Sequence, residues 1–163
     1  MNFFETTCQE PTIDKSIFGL CDDQNRTKAY TNIDDQTKWI ATVRNHRHKN
    51  LTFTAIDKCV LKDEEEPDRG RCDGMLTSAE HELMYFVELK NDRKQWVKDA
   101  IEQLESTIQF FIEHHDMSIF KHKKAFACNK KHPHFQEIDN ELNLRFFRTY
   151  RVRIDVQAEI IIV

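Results

Sequence analysis

Apolar and polar positions along the chain alternate, or bunch into short runs, in a way that marks out a series of strands and two helices. Residues 51–61, Leu-Thr-Phe-Thr-Ala-Ile-Asp-Lys-Cys-Val-Leu, have the β-branched and aromatic content of a strand. The acidic run after it, with Pro67 and Gly70 as punctuation, ends it. A second strand is expected at 71–76 and a third in the almost wholly apolar segment from Leu83 to Leu89. The polar residues 77–82 between them are enough for a hairpin connection and too few for a crossover helix, so these strands should be antiparallel neighbours. Beyond Lys90, Val97, Ile101, Leu104, Ile108 and Phe111 recur at spacings of four, three, four and three, the stripe of an amphipathic helix, with Asn91-Asp92 as its expected N-cap.

The remaining pattern is sparser. A short strand is expected at 124–129 and a second helix at 135–150, with Ile138, Leu142 and Phe146 on one face. The apolar residues 156–163 read as a terminal strand. In the N-terminal fifty residues, Trp39, Ile40 and Val43 suggest a helix at 34–45. The fold class expected is α/β: a central mixed sheet, made of a three-strand antiparallel meander plus a parallel strand, flanked by helices. No repeat, low-complexity tract or Pro/Gly-rich linker divides the chain, so residues 1–163 are expected to form one domain.

Side-chain alternation carries the first chemical signal. On the third strand Glu88 and Lys90 share one face, and Val87 and Leu89 the other. An antiparallel pairing with the preceding strand sets Asp73 on the same side of the sheet as Glu88. Two converging carboxylates make a hard-oxygen site suited to Mg²⁺ or Mn²⁺. Asp57, on the first strand, is a further charge if it shares that face.

Asp73, the Glu88-Leu89-Lys90 triplet and the helix after them resemble the signature of the PD-(D/E)xK nuclease superfamily, and the order of elements resembles its restriction endonuclease-like fold. The resemblance covers roughly residues 34–129. It implies Asp73 and Glu88 as metal ligands, with the Leu89 carbonyl as a further ligand, and Lys90 as the cation that positions the attacking water. It also implies an additional acid on a first helix, for which Asp34 and Asp35 are the candidates, and Gln103 as an accessory residue. Two positions depart from the family pattern: Cys72 stands where the named motif has proline, and Thr107 where RecB-like members have tyrosine. The activity implied by the resemblance is that of a Mg²⁺- or Mn²⁺-dependent nuclease, acting on DNA rather than RNA. A different class of function fits the same chain: a non-catalytic binding or assembly subunit that keeps the nuclease-like fold within a larger defence or DNA-processing complex.

Composition adjusts this picture. A net charge of -4 argues against broad affinity for nucleic acid, which comes mostly from lysine and arginine. The basic residues are nevertheless grouped. Lys121, Lys123, Lys124, Lys130 and Lys131 form one candidate phosphate-binding cluster, and Arg145, Arg148, Arg151 and Arg153 a second. Cys128, His132 and His134 are zinc-ligand types without finger-like spacing, and no H-E-x-x-H pattern is present. The vicinal His114-His115 sits at a predicted helix end. Five cysteines without paired spacing are expected to be reduced and largely buried. With no apolar run near the ~20 residues of a membrane span, a soluble, cytoplasmic protein is expected. The apolar Ile160–Val163 segment offers a sheet edge for a homodimer or a partner protein.

Overall fold

The computed structural model describes residues 1–163 as an α/β fold with two mixed sheets and two α-helices. Nine strands are present: β1 (Ile17–Cys21), β2 (Tyr30–Asn32), β3 (Ala41–Arg44), β4 (Leu51–Ala55), β5 (Gly74–Ser78), β6 (Leu83–Lys90), β7 (His122–Asn129), β8 (Arg153–Val156) and β9 (Glu159–Ile161). The helices are α1 (Val97–His114) and α2 (Asn140–Tyr150). One sheet has the order β4-β5-β6-β7-β8, the other β2-β1-β3-β9.

The five-stranded sheet contains the expected meander. β4, β5 and β6 are successively antiparallel, and β6 pairs in parallel with β7 after the α1 crossover. A second crossover through α2 adds β8, again parallel. β6 is buried along nearly its whole length because both of its faces are covered. Met84 and Phe86 pack with Met75, Ala125 and the buried stripe of α1. Leu83, Tyr85, Val87 and Leu89 pack instead with Phe18, Leu20, Val43 and Ile160 of the second sheet. The molecule is therefore layered, with helices on one face of the five-stranded sheet and the four-stranded sheet on the other. The stripe Ile101, Leu104, Ile108 and Phe111 falls on the buried side of α1, each large side chain contributing roughly 1.5–3 kcal/mol.

Close sheet contact requires glycine at two places. A Cβ on Gly74 would lie 2.3 Å from Cζ of Phe53, and one on Gly19 2.0 Å from the Trp39 indole. Gly74 therefore lets β4 lie flat against β5 immediately beside Asp73.

Several expectations are corrected. Residues 34–45 form no helix: a 3₁₀ turn at Gln36–Lys38 leads into β3, so Trp39, Ile40 and Val43 belong to a strand entry and not to a helical face. The apolar content there is too short and too β-branched to sustain helical periodicity. The Asn91-Asp92 cap is not used, because α1 begins after Trp96. The second helix starts at Asn140, capped by the Asp139 side chain accepting from the Glu141 N–H, and leaves Ile138 outside it. The terminal strand is two strands in different sheets, since residues 157–158 carry the chain from β8 to β9.

The expectation of reduced, buried thiols holds for three cysteines and fails for two. Cys8 and Cys59 form a disulfide; Cys21, Cys72 and Cys128 are free and buried. The bond ties the N-terminal segment to the loop between β4 and β5, a contact that their sequence separation of 51 residues hides. No helix is long and apolar enough to cross a membrane. β9 lies at the edge of its sheet with Ile161 and Val163 exposed, while Ile160 and Ile162 are buried.

Closing a loop of this length restricts the unfolded chain, so loss of the disulfide is expected to cost about 2–4 kcal/mol. Chemical denaturation with and without a dithiol reductant measures this. An unchanged midpoint would show that the cross-link contributes nothing.

Candidate active site

The site grows out of the end of the β5–β6 pairing. Gly74 is opposite Val87, and the Asp73 N–H also donates to the Val87 carbonyl at 3.1 Å, so the chain leaves the ladder at Asp73 with its carboxyl against that of Glu88. Glu88 follows Met84 and Phe86 at alternate positions of β6 and shares their face. That is the face covered by α1. The ladder gives out there, and the Asp73 carboxylate takes over its role: Asp73 Oδ2 accepts from the Leu89 N–H at 2.7 Å. Both carboxyls are buried, Asp73 at 8% and Glu88 at 4% exposure. Lys90, two residues further on the same face, places Nζ 3.3 Å from Glu88 Oε2 and 2.6 Å from Asp99 Oδ2 on the first turn of α1.

Helix α1 also fixes the approach to Asp73. Gln103 Oε1 accepts from the Arg71 N–H at 2.6 Å. One turn later Thr107 Oγ1 accepts from the Cys72 N–H at 2.7 Å and donates to the Gln103 carbonyl at 2.9 Å. Two backbone donors that have no strand partner are thus satisfied by side chains at i and i+4 of one helix, which holds the chain rigid just before the carboxylate. Thr107 has this positional role.

These groups line a cavity of about 480 Å³. Its wall contains Asp73, Glu88, Leu89, Lys90 and Gln103, as expected, together with Asp57. Asp57 comes from the loop after β4 and pairs with Arg71 Nε at 2.9 Å; Arg71 also pairs with Asp63. Asp22 and Gln24, from the turn between β1 and β2, complete the wall, and Gln24 Nε2 donates to the Leu89 carbonyl at 3.4 Å. Asp22, Gln24, Lys58, Arg71 and Asp99 were not foreseen. Asp22, Gln24 and Lys58 reach the site through the tertiary fold, but Arg71 stands two residues before Asp73 and Asp99 nine residues after Lys90 on the predicted helix, and both spacings are usable signals.

Other candidates fall elsewhere. Asp34 and Asp35 lie in the turn before β3, where Asp35 caps the 3₁₀ turn through the Thr37 N–H; neither lines the cavity. The lysine cluster is split by the strand that runs through it. Leu83 is level with His122 and Lys90 with Asn129, so Lys130 and Lys131 stand at the site's end of β7 while Lys121, Lys123 and Lys124 stand at the other, ~20 Å away. Cys128 points into the core between the sheets, whereas His132 is at the surface against the Arg93 carbonyl, so no zinc site forms from them. His114 and His115 hold the end of α1, the first against the Phe110 carbonyl and the second accepting from the Phe3 N–H.

Burial dominates the electrostatics of the acid pair. Desolvation, and after it the neighbouring Glu88 carboxylate, pushes the Asp73 pKa well above the usual range. Desolvation raises Glu88 to about 7, against the opposing influence of Asp73 hydrogen bonding and Lys90. Two buried carboxyls in contact cannot both ionise cheaply, so the pair retains a proton at neutral pH. Glu88 Oε1 is buried with no hydrogen-bond partner. An oxygen-rich pair with an orphaned acceptor and the Leu89 carbonyl beside it has the donor chemistry of a hard divalent cation site. No group of three or more His, Cys, Asp or Glu side chains is arranged to hold a metal, so a cation here draws on two carboxylates, a carbonyl and water. Comparison with protein-family models, with curated proteins and with solved structures returns no match.

Because both pKa values are raised in the folded state, folding takes up protons above the normal carboxyl range. Stability should therefore fall as pH rises from about 4.5 towards about 7, the span between the ordinary Glu pKa and that of buried Glu88. In Glu88→Gln the slope should be shallower and the protein more stable at pH 8 by about 1–3 kcal/mol. Urea unfolding across this pH range checks both; a wild-type curve that rises with pH contradicts the assignment.

Proposed function

We propose that this protein is a Mg²⁺- or Mn²⁺-dependent nuclease with a restriction endonuclease-like core, hydrolysing phosphodiester bonds in DNA. The observation that carries the reading is the convergence of buried Asp73 and Glu88, one of them with an unpartnered oxygen, beside Lys90 in a polar cavity. A protein that buries two repelling carboxyls gives up stability, and such groups in a cleft favour a functional reading. The ordered meander, with the helix and the parallel strand after it, supports the family resemblance.

Asp73, Glu88 and the Leu89 carbonyl would hold the cation, which when bound supplies charge neutralisation and a more acidic water. The chain's own groups do the rest. The Leu89 N–H and the Gln103–Thr107 clamp orient Asp73. Lys90, held between Glu88 and Asp99, keeps its charge to higher pH than an ordinary lysine, because those two acids outweigh the burial that lowers it. It is thus a fixed cation, suited to orient a nucleophilic water and to offset negative charge on a scissile phosphate. Arg71, engaged by Asp57 and Asp63, shapes the cavity mouth.

A second reading, a non-catalytic binding or assembly subunit, is favoured by one observation: the short β9 edge with exposed Ile161 and Val163, open to a second copy or to a partner strand. Metal affinity separates the two, since a binding subunit has no need of it.

Incubation of the purified protein with linear, circular and single-stranded DNA, and with RNA, in Mn²⁺ should give cleavage that EDTA abolishes. Asp73→Ala and Lys90→Ala should each lower the rate by at least about 10²–10³-fold while circular dichroism stays native. Cleavage surviving in folded Asp73→Ala protein overturns the assignment. Mn²⁺ should also raise the thermal midpoint of the wild type more at pH 8 than at pH 5, because a cation favours the ionised pair; an equal shift in Glu88→Gln would contradict Glu88 as a ligand.

A further inference from the structure

Just beyond Lys90, the loop after β6 and the loop after β7 lie side by side. Asn129, fully buried, joins them: its Oδ1 accepts from the Asp92 and Lys131 N–H groups, and its Nδ2 donates to the Asp92 carbonyl. The His132 ring meets the Arg93 carbonyl at 2.6 Å. A cleft of about 630 Å³ opens there, lined by Arg93, Lys94, Lys98 and His132 and bounded by Gln136. Lys131, next to His132, rests its ammonium on the Asn91 carbonyl, and Lys130 rests its own on the Thr37 carbonyl in the turn before β3. A carbonyl satisfies a donor without neutralising its charge. Arg93, Lys94, Lys130 and Lys131 have no carboxylate partner, and Lys98 has only the exposed Glu102 at 3.9 Å. In a chain of net charge -4 this is a concentrated cationic surface, in which Lys130 alone also lies near Asp35, and it adjoins the polar cavity of Asp73 and Glu88.

A second feature borders it. Phe135 is 60% exposed, the highest value among the large hydrophobic side chains. Gln136 lines both the cationic cleft and the neighbouring depression that contains Phe135. The backbone here is held firmly, with Gln136 N–H donating to the Val156 carbonyl at 2.9 Å. An aromatic ring kept in water on an anchored segment, beside unpaired cations, is the pairing of features that binds single strands: cations follow the phosphates and the ring stacks on a base. In a duplex the faces of the bases are covered by their neighbours, so a stacking ring has nothing to meet.

We infer that this surface is a binding track for single-stranded nucleic acid leading into the acid cavity, with Arg93, Lys94, Lys98, Lys130 and Lys131 on phosphates and Phe135 on a base. The inference takes its orientation from the nuclease reading, since the track ends at Lys90, but binding is measured without catalysis.

Fluorescence anisotropy of a labelled deoxythymidine oligomer in EDTA tests it, with the same oligomer annealed to its complement as the comparison. Wild-type protein should bind the single strand more tightly than the duplex, with an affinity that falls as salt rises. Lys130→Glu/Lys131→Glu should weaken binding and flatten the salt dependence, by about 1.4 in the log–log slope at most. Phe135→Ala should weaken it about tenfold. Lys121→Glu/Lys123→Glu, at the far end of β7, should leave it unchanged. All replaced side chains are at the surface, and thermal melting confirms folding. Preference for the duplex, an unaffected Phe135→Ala protein, or equal loss in the Lys121/Lys123 variant overturns the track. Single-strand binding in EDTA without any Mn²⁺-dependent cleavage overturns the nuclease reading alone, and cleavage with undisturbed binding in the Lys130/Lys131 variant overturns the track alone.

Discussion

The central constraint in this protein is that β6 has to satisfy hydrogen-bond ladders on both edges and apolar neighbours on both faces. Residues 83–87 meet that demand with side chains that alternate between the helix layer and the second sheet. Residues 88 and 90 break the apolar pattern on the helix side. Because the strand is already committed on every side, these two charges have no freedom to turn away, and the fold must accommodate them where they fall. It does so by placing the Asp73 carboxyl against Glu88 and Asp99 against Lys90.

That accommodation is only partial, and the imbalance gives the site its character. Two carboxyls in a dry environment are offset by one partly exposed lysine, so the acid pair resists ionisation and one oxygen has no partner. Structural polar groups are normally satisfied when buried, and a few kcal/mol is a large share of a domain's stability. The neighbouring backbone is, in contrast, fully provided for. Gln103 and Thr107 hold Arg71 and Cys72, Gly74 lets Phe53 come close, and the Leu89 N–H is taken by Asp73. Rigid scaffolding thus surrounds an electrostatically unsatisfied pair.

Where local chemistry is decisive, the fold is legible along the chain. The hairpin between β5 and β6 follows from a six-residue, mostly polar segment between two apolar runs, and the inner stripe of α1 from spacing alone. Asp73, Glu88, Lys90 and Gln103 meet because a short antiparallel register and one crossover helix allow little choice. The N-terminal fifty residues mislead for the opposite reason. Trp39, Ile40 and Val43 are few and closely spaced, and a cluster of that size suits either a helical face or a strand entry until its partners are known. Their partners are β1 and β9, the latter from the far end of the chain.

By itself the sequence determined the α/β alternation, the meander, the α1 face and the sharing of one strand face by Glu88 and Lys90, because periods of 2 and 3.6 and turn chemistry act over a few residues. Only the tertiary structure decided the second sheet, the Cys8–Cys59 bond, the arrival of Asp22 and Gln24 at the cavity, and the division of the lysines between opposite ends of β7. Each of these depends on residues distant in sequence being brought to one place by burial of two shared cores, and no local pattern encodes which distant partner that burial selects.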